Sequence, residues 1–132
     1  MTDTQNKIKN EISGMDDLDL YDYFVSKAIS SENKNIRSEK NKIEGCVSGL
    51  WVEAKLINNC VSVSTDSDSL VIKGISLCIC DIFNGMSLEQ VKETEIDFLN
   101  GTDLSGELDE RRRTGLAKIK DRVLSLNRVG EL

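Results

Sequence analysis

Four cysteines, at positions 46, 60, 78 and 80, carry most of the reactive chemistry this sequence offers. The chain has no histidine, which excludes a Ser-His-Asp triad, an HExxH zinc site and imidazole acid–base catalysis. No two cysteines stand in a C-x-x-C pair, so the spacing of a zinc ribbon or a thioredoxin-type redox motif is missing. Cys46 differs from the other three. It sits between Gly45 and Gly49 in the run Asn41-Lys42-Ile43-Glu44-Gly45-Cys46-Val47-Ser48-Gly49-Leu50-Trp51, which joins a polar segment to the first convincing strand. Glycines at such a junction permit sharp turns and close approach by another backbone. A thiol there can be offered to a partner and then withdrawn, as a catalytic or carrier thiol requires. It reacts as thiolate, so Cys46 needs a cation or backbone N–H groups nearby. A structural cysteine packed at a strand end fits the same pattern.

The elements around it follow from periodicity. Residues 3–13 form a short helix with Ile8 and Ile12 spaced i, i+4, ended by Gly14. Asp16 or Asp17 caps a second helix to about Ile29, with Leu18, Tyr21, Phe24, Val25 and Ala28 as its apolar stripe. Residues 30–42 hold one apolar side chain, Ile36. Such a segment buries too little surface to offset its ordering entropy and reads as a mobile surface loop. Asn58-Asn59 then suits a two-residue hairpin turn with positive φ. It sets Ile57 opposite Cys60, Leu56 opposite Val61 and Ala54 opposite Val63. Leu50, Val52, Ala54, Leu56, Val61 and Val63 share one face, and Cys60 falls on the more polar one.

A helix beginning within residues 65–69, capped by Asp66 or Ser67, runs to about Asn84-Gly85. It is apolar nearly all round and so is the central core element. Cys78 and Cys80 lie on it, about 200° apart around the axis, and read as buried small hydrophobes. Ser87 and Gln90 form a capping box for a short helix. The last helix runs from near Asp109 to about Leu126, with Leu116, Ile119, Val123 and Leu126 on one face. Arg111, Arg112 and Arg113 stand in its first turn, the unfavourable end of the helix dipole; a local conflict of that kind can mark a functional site.

Length and charge set the class. At 132 residues the chain is one domain, 1–132, with its core in about residues 16–126. The net charge of −6 argues against a nucleic-acid binder, which needs clustered Lys and Arg. No apolar run reaches the roughly 18–20 residues of a membrane span, and the first residues are neither basic nor apolar, as a signal peptide would be. A cytoplasmic protein with reduced thiols is the expectation.

Three blocks carry a family resemblance. Asn41-x-Ile43-x-Gly45-Cys46-x-Ser48-x-Leu50-Trp51 resembles the signature of the SufE family, the sulfur acceptors that serve cysteine desulfurases. Asp66-Ser67-Asp68 with Val71, Lys73 and Gly74 forms the second block, and Leu108 through Arg112 with Gly115-Leu116 the third. The resemblance implies an α+β fold of the SufE/IscU type, a small antiparallel sheet of about three strands packed against helices. The third strand would come from the segment before or at Cys46. It also implies that Cys46 takes a sulfane sulfur from a SufS-like desulfurase, becomes a persulfide, stimulates that enzyme and passes the sulfur to an iron–sulfur scaffold. Pyridoxal phosphate would belong to the desulfurase only; the chain itself would hold no cofactor and no metal, and would act as activator and co-substrate. Arg112, chosen over Arg113 by its spacing from Gly115, would support anionic sulfur or the partner contact, and Asp68 would lie near the cysteine loop. The alternatives are an IscU-like iron–sulfur scaffold and an interaction module in which Cys46 is structural.

Overall fold

Two asparagines in left-handed conformation (φ 54° and 65° at Asn58 and Asn59) turn the chain back on itself. In the computed structural model, which describes residues 3–31, 35–45, 49–102 and 104–126, they join β1 (Leu50–Ile57) to β2 (Cys60–Ser67). Right-handed strand twist favours this type of turn, and asparagine tolerates the positive φ. The register is the expected one, with Ile57 opposite Cys60 and Ala54 opposite Val63. Leu50, Val52, Val61 and Val63 are buried on the inner face.

The helices are α1 (Asp3–Ile12), α2 (Asp17–Ser30), α3 (Leu70–Phe83), α4 (Leu88–Glu93) and α5 (Glu110–Leu124). Asp16 caps α2 by accepting the Asp19 N–H, and Asp109 caps α5 by accepting that of Arg112. Ser87 and Gln90 close a reciprocal capping box on α4. α3 is the apolar centre and packs on both α2 and β2. Gly74 makes the α2 contact possible: a Cβ there would lie 1.9 Å from the Phe24 carbonyl oxygen. Cys78 and Cys80 are buried on α3 as expected. None of the described helices is long and apolar enough to cross a membrane.

Four expectations need correction. The buried line of α2 is Leu20, Phe24 and Ala28, whereas Leu18 and Tyr21 are 70% and 42% exposed. The close approach at Gly74 selects that face. Asp66 and Ser67 do not cap α3. They extend β2, with Ser67 opposite Leu50, and Ser69 caps the helix by accepting the Ile72 N–H. Within residues 35–45, read as part of an unanchored loop with what precedes it, Ile36 and Asn41 are buried. The Asn41 amide donates to the Ile36 carbonyl, and a short 3₁₀ turn spans Glu39–Asn41.

Finally, the sheet of the described residues has two strands, not three. The segment before Cys46 contributes one antiparallel bridge, Lys42 with Trp51, and the Ile43 N–H donates to the Leu50 carbonyl at 2.8 Å. The other flank is also covered. The Asn84 side chain bonds both backbone groups of Val63, and the Val61 N–H donates to the Met86 carbonyl. The β2 edge is thereby covered at Val61 and Val63, and the β1 edge at its first residues.

Candidate functional site

Cys46, with Val47 and Ser48, lies outside the described residues. The backbone that enters and leaves this stretch is described, and it is held from two sides by different parts of the chain. On the entering side α5 supplies two cations. Lys118 donates to the Glu44 carbonyl at 2.7 Å. Arg122 donates to the carbonyls of Lys40 and Val52, both at 3.2 Å, and of Lys42 at 3.1 Å. One guanidinium thus fastens the cysteine-bearing segment to β1. Gly45 has φ +83°, a conformation that L side chains rarely adopt, and the Lys118 ammonium stands 3.0 Å from where its Cβ would be.

On the leaving side the end of β2 holds Gly49. The Asp68 carboxylate accepts the Gly49 N–H at 3.0 Å. The Gly49 carbonyl accepts the Ser67 hydroxyl at 2.6 Å and the Asp68 N–H at 3.3 Å. Both polar groups of one glycine are therefore satisfied by two consecutive residues, which fixes its orientation.

That grip rests on a buried carboxylate. Asp66 is 5% exposed. Its oxygens meet Arg37 Nε at 2.8 Å, Lys73 Nζ at 3.3 Å and the Ser67 N–H at 2.8 Å. Burial alone pushes this carboxyl up; the Arg37 and Ser67 hydrogen bonds, with the charges of Lys73 and Arg37, outweigh it and hold it below the usual carboxylate range. Arg37 also donates to the Ser67 carbonyl and lies 4.5 Å over the Trp51 ring, a cation–π contact. Asp66, Ser67 and Asp68 thus form one connected structure at the second resemblance block.

The arginines at the start of α5 divide their work. Arg113 donates to the carbonyls of Leu108 and Thr102, fastening the preceding loop to the helix. Arg112 donates to the Glu107 carbonyl at 3.2 Å, and its Nε is buried without a partner among the described residues. The hydrogen bonds described for Arg112 join it to Glu107 and, through its backbone, to Asp109; none reaches Gly45 or Gly49. An orphaned buried donor is uncommon and is the kind of group a ligand or partner completes.

Of the remaining cysteines, the two on α3 are poor sulfur nucleophiles where they stand. Burial raises the Cys78 thiol to about 12 and pushes that of Cys80 strongly upward; both stay protonated at neutral pH. Cys60 is exposed beside the hairpin turn.

Comparison with known proteins now bears on this arrangement. Residues 6–126 match the family model SufE, described as an Fe-S metabolism associated domain. The chain belongs to the SufE family. An uncharacterized SufE-like protein of Synechocystis sp. is 32% identical over 79 residues, 60% of this chain and 50% of that one. SufE-like protein 1, chloroplastic/mitochondrial, of Arabidopsis thaliana is 29% identical over 94 residues, 70% of this chain and 25% of that one. These matches span half or less of the relatives' own lengths. The solution structure of a hypothetical protein from Thermus thermophilus superposes with a TM-score of 0.75 at 15% identity, covering 98% of this chain and 96% of that one. That likeness is one of fold. The α+β architecture and the role in iron–sulfur metabolism stand on these findings.

For this SufE-family domain, the resemblance pointed to Asp68 near the cysteine loop, where the structure bonds it to Gly49, and the sequence left Arg37, Lys118 and Arg122 unnoticed. Arg111, Lys118 and Arg122 recur at i, i+7 and i+11, one basic stripe beside the apolar line Leu116, Ile119 and Val123. That periodicity is the signal that was available. Its target, a set of backbone carbonyls more than 70 residues away, has none.

Proposed function

We propose that this domain is a sulfur acceptor and carrier. Cys46 takes sulfur from a cysteine desulfurase, and the protein stimulates that enzyme and delivers the sulfur to an iron–sulfur assembly scaffold. The observation that carries the reading is the two-sided hold on the backbone around Cys46, by Lys118 and Arg122 on one flank and Ser67 and Asp68 on the other, in a chain of the SufE family. Rigid anchors on both sides of a short stretch suit a thiol that must meet a partner in defined geometry.

The step is a thiol exchange. The Cys46 thiolate attacks the terminal sulfur of the donor persulfide, R–S–SH. The new S–S bond forms as the donor S–S bond breaks, giving Cys46–S–SH and the donor thiolate R–S⁻. One sulfane sulfur and its proton move, and no external oxidant or reductant is consumed. Delivery repeats the exchange, with Cys46 as the leaving thiolate. Asp68 acts by holding Gly49. Arg112, whose buried Nε lacks a partner among the described residues, supports the partner contact or the anionic sulfur. Pyridoxal phosphate belongs to the desulfurase.

The test pairs Cys46→Ser with labelled cysteine and a SufS-like desulfurase. Label should arrive on Cys46 and not on Cys78 or Cys80, and the serine variant should fold yet lose stimulation. A serine variant that stimulates as well as the parent protein removes the carrier role.

A further inference from the structure

A groove lies on the opposite side of α5 from Lys118 and Arg122. At 100° per residue those two stand about half a turn round the helix from Arg113, Ala117 and Lys120, which line the groove. Its volume is about 460 Å³, within the range of small-molecule sites. Its floor is apolar: Ile79 and Phe83 of α3, Leu116 of α5, and Leu99, all buried. The opposite wall is residues 95–100, and it is tied in three places. At one end Lys120 donates to the Thr94 carbonyl at 2.7 Å and the Lys92 carbonyl at 3.3 Å. At the other end Arg113 donates to the Thr102 carbonyl. Between them, the buried Gln5 side chain of α1 accepts the Asp97 and Phe98 N–H groups and donates to the Glu95 carbonyl. A wall so tied keeps its distance from the floor, and the site is preformed.

Charge gives the groove a direction. Glu95 and Asp97 follow Thr94 at the Lys120 end, where Lys9 pairs with Asp97 at 2.8 Å. Asn100 precedes Thr102 at the Arg113 end and offers an amide, with no acid beside it in the lining. Arg113 spends Nε on the Leu108 carbonyl and Nη2 on that of Thr102, and it has no carboxylate partner among the described residues. A guanidinium carries five N–H donors, so some remain for an anion. Arg113 and Lys120 are seven residues apart, roughly 10 Å along the helix, and the apolar floor lies between them. We propose that this groove binds a small amphipathic carboxylate, its head on Arg113 and Asn100 and its aliphatic body on Ile79, Phe83, Leu99 and Leu116. A wholly polar anion would leave the floor uncovered, and a plain hydrocarbon would leave the guanidinium donors unused.

The experiment titrates octanoate, below its micellar concentration, into the nitrogen-15-labelled full chain and follows amide shifts. Octanol and octylammonium are the matched probes. Shifts should gather on residues 95–100 and 113–120, and octanoate should bind about tenfold more tightly than octanol, the worth of a charge-assisted hydrogen bond. Ala117 is exposed at the groove, so Ala117→Trp should fill it, keep the parental melt and abolish the octanoate shifts. If the tryptophan variant does not fold, Ala117→Glu replaces it. That change suits a helix, sets a carboxylate against the ligand's own, and should weaken octanoate while sparing octylammonium. Equal binding of octanoate and octanol overturns the proposal, as does octanoate binding that survives in a folded Ala117 variant. A concentration-dependent dimer that Ala117→Trp breaks also overturns it, and gives the groove to a second copy of the chain.

Discussion

The Asp68 carboxylate accepts the N–H of Gly49 at 3.0 Å, three residues beyond Cys46. Asp68 is exposed, so this bond contributes modestly to stability, and its value lies in orientation. Asp68→Ala should leave the melting temperature within a few degrees, as expected for a change of about 1 kcal/mol or less. The rate of labelled-sulfur arrival on Cys46 should fall several-fold. A variant that transfers at the parental rate would show that Gly49 needs no side-chain anchor.

Asp66 should behave in the opposite way. Its carboxylate is buried and bonded to Arg37 and Lys73, so Asp66→Asn should cost about 2–3 kcal/mol at neutral pH by leaving buried partners unpaired. The folded carboxyl titrates below its unfolded value near 3.9. The unfolded state therefore binds its proton first as pH falls, and the stabilisation is full above about pH 4 and lost below it. Denaturant melts of both proteins from pH 7 to pH 2.5 should show the gap narrowing only in the acid range. A constant gap would exclude the charge as its source.

Gly74 offers a test of packing alone. Alanine is better than glycine in a helix by about 1 kcal/mol, yet a methyl group here would stand 1.9 Å from the Phe24 carbonyl oxygen. α2 must shift to admit it. Gly74→Ala should destabilise by about 2–3 kcal/mol, measured by urea denaturation. A neutral or stabilised variant would mean that the two helices are not in this contact.

Arg112 and Arg113 should separate in function. Arg113→Ala removes donors from the Leu108 and Thr102 carbonyls and should lower stability by about 1–2 kcal/mol. Arg112→Ala removes one bond to Glu107 and an orphaned Nε. It should leave the melt nearly unchanged while slowing transfer from the desulfurase. Equal transfer rates in parent and Arg112→Ala would take Arg112 out of the site.

The hairpin was legible because its two signals agree. Alternating apolar residues fix a period of two, and Asn58-Asn59 fix the turn, so only one register puts Leu50, Val52, Val61 and Val63 inside. α3 was legible because it is apolar on every side. α2 was not, for a related reason. Leu18, Leu20, Tyr21, Tyr23, Phe24 and Val25 surround its axis, so spacing alone does not choose a face; Gly74 on another helix does. Asp66 misled because an aspartate near a helix start resembles a cap, and its true partners, Arg37 and Lys73, come from two separate segments. The expected third strand shrank to one bridge, since the 3₁₀ turn takes up the Asn41 N–H and Arg122 takes up the Val52 carbonyl that a longer ladder would join. Within the candidate site, the resemblance pointed to Cys46, Asp68 and Arg112. The cations that reach the residues before Cys46 had to be seen in three dimensions.

Lys118 and Arg122 reach the segment ahead of Cys46 across 74 to 82 residues of chain. During synthesis, the cysteine and its neighbours leave the ribosome long before the helix that fastens them. At about 5–20 residues per second, the interval from Cys46 to Arg122 lasts roughly 4–15 seconds. Throughout it, β1 and β2 can pair and Asp68 can engage Gly49, while the entering flank waits. Completion of this corner therefore comes late in translation, and a nascent chain stalled before α5 would present the thiol stretch with one anchor instead of two.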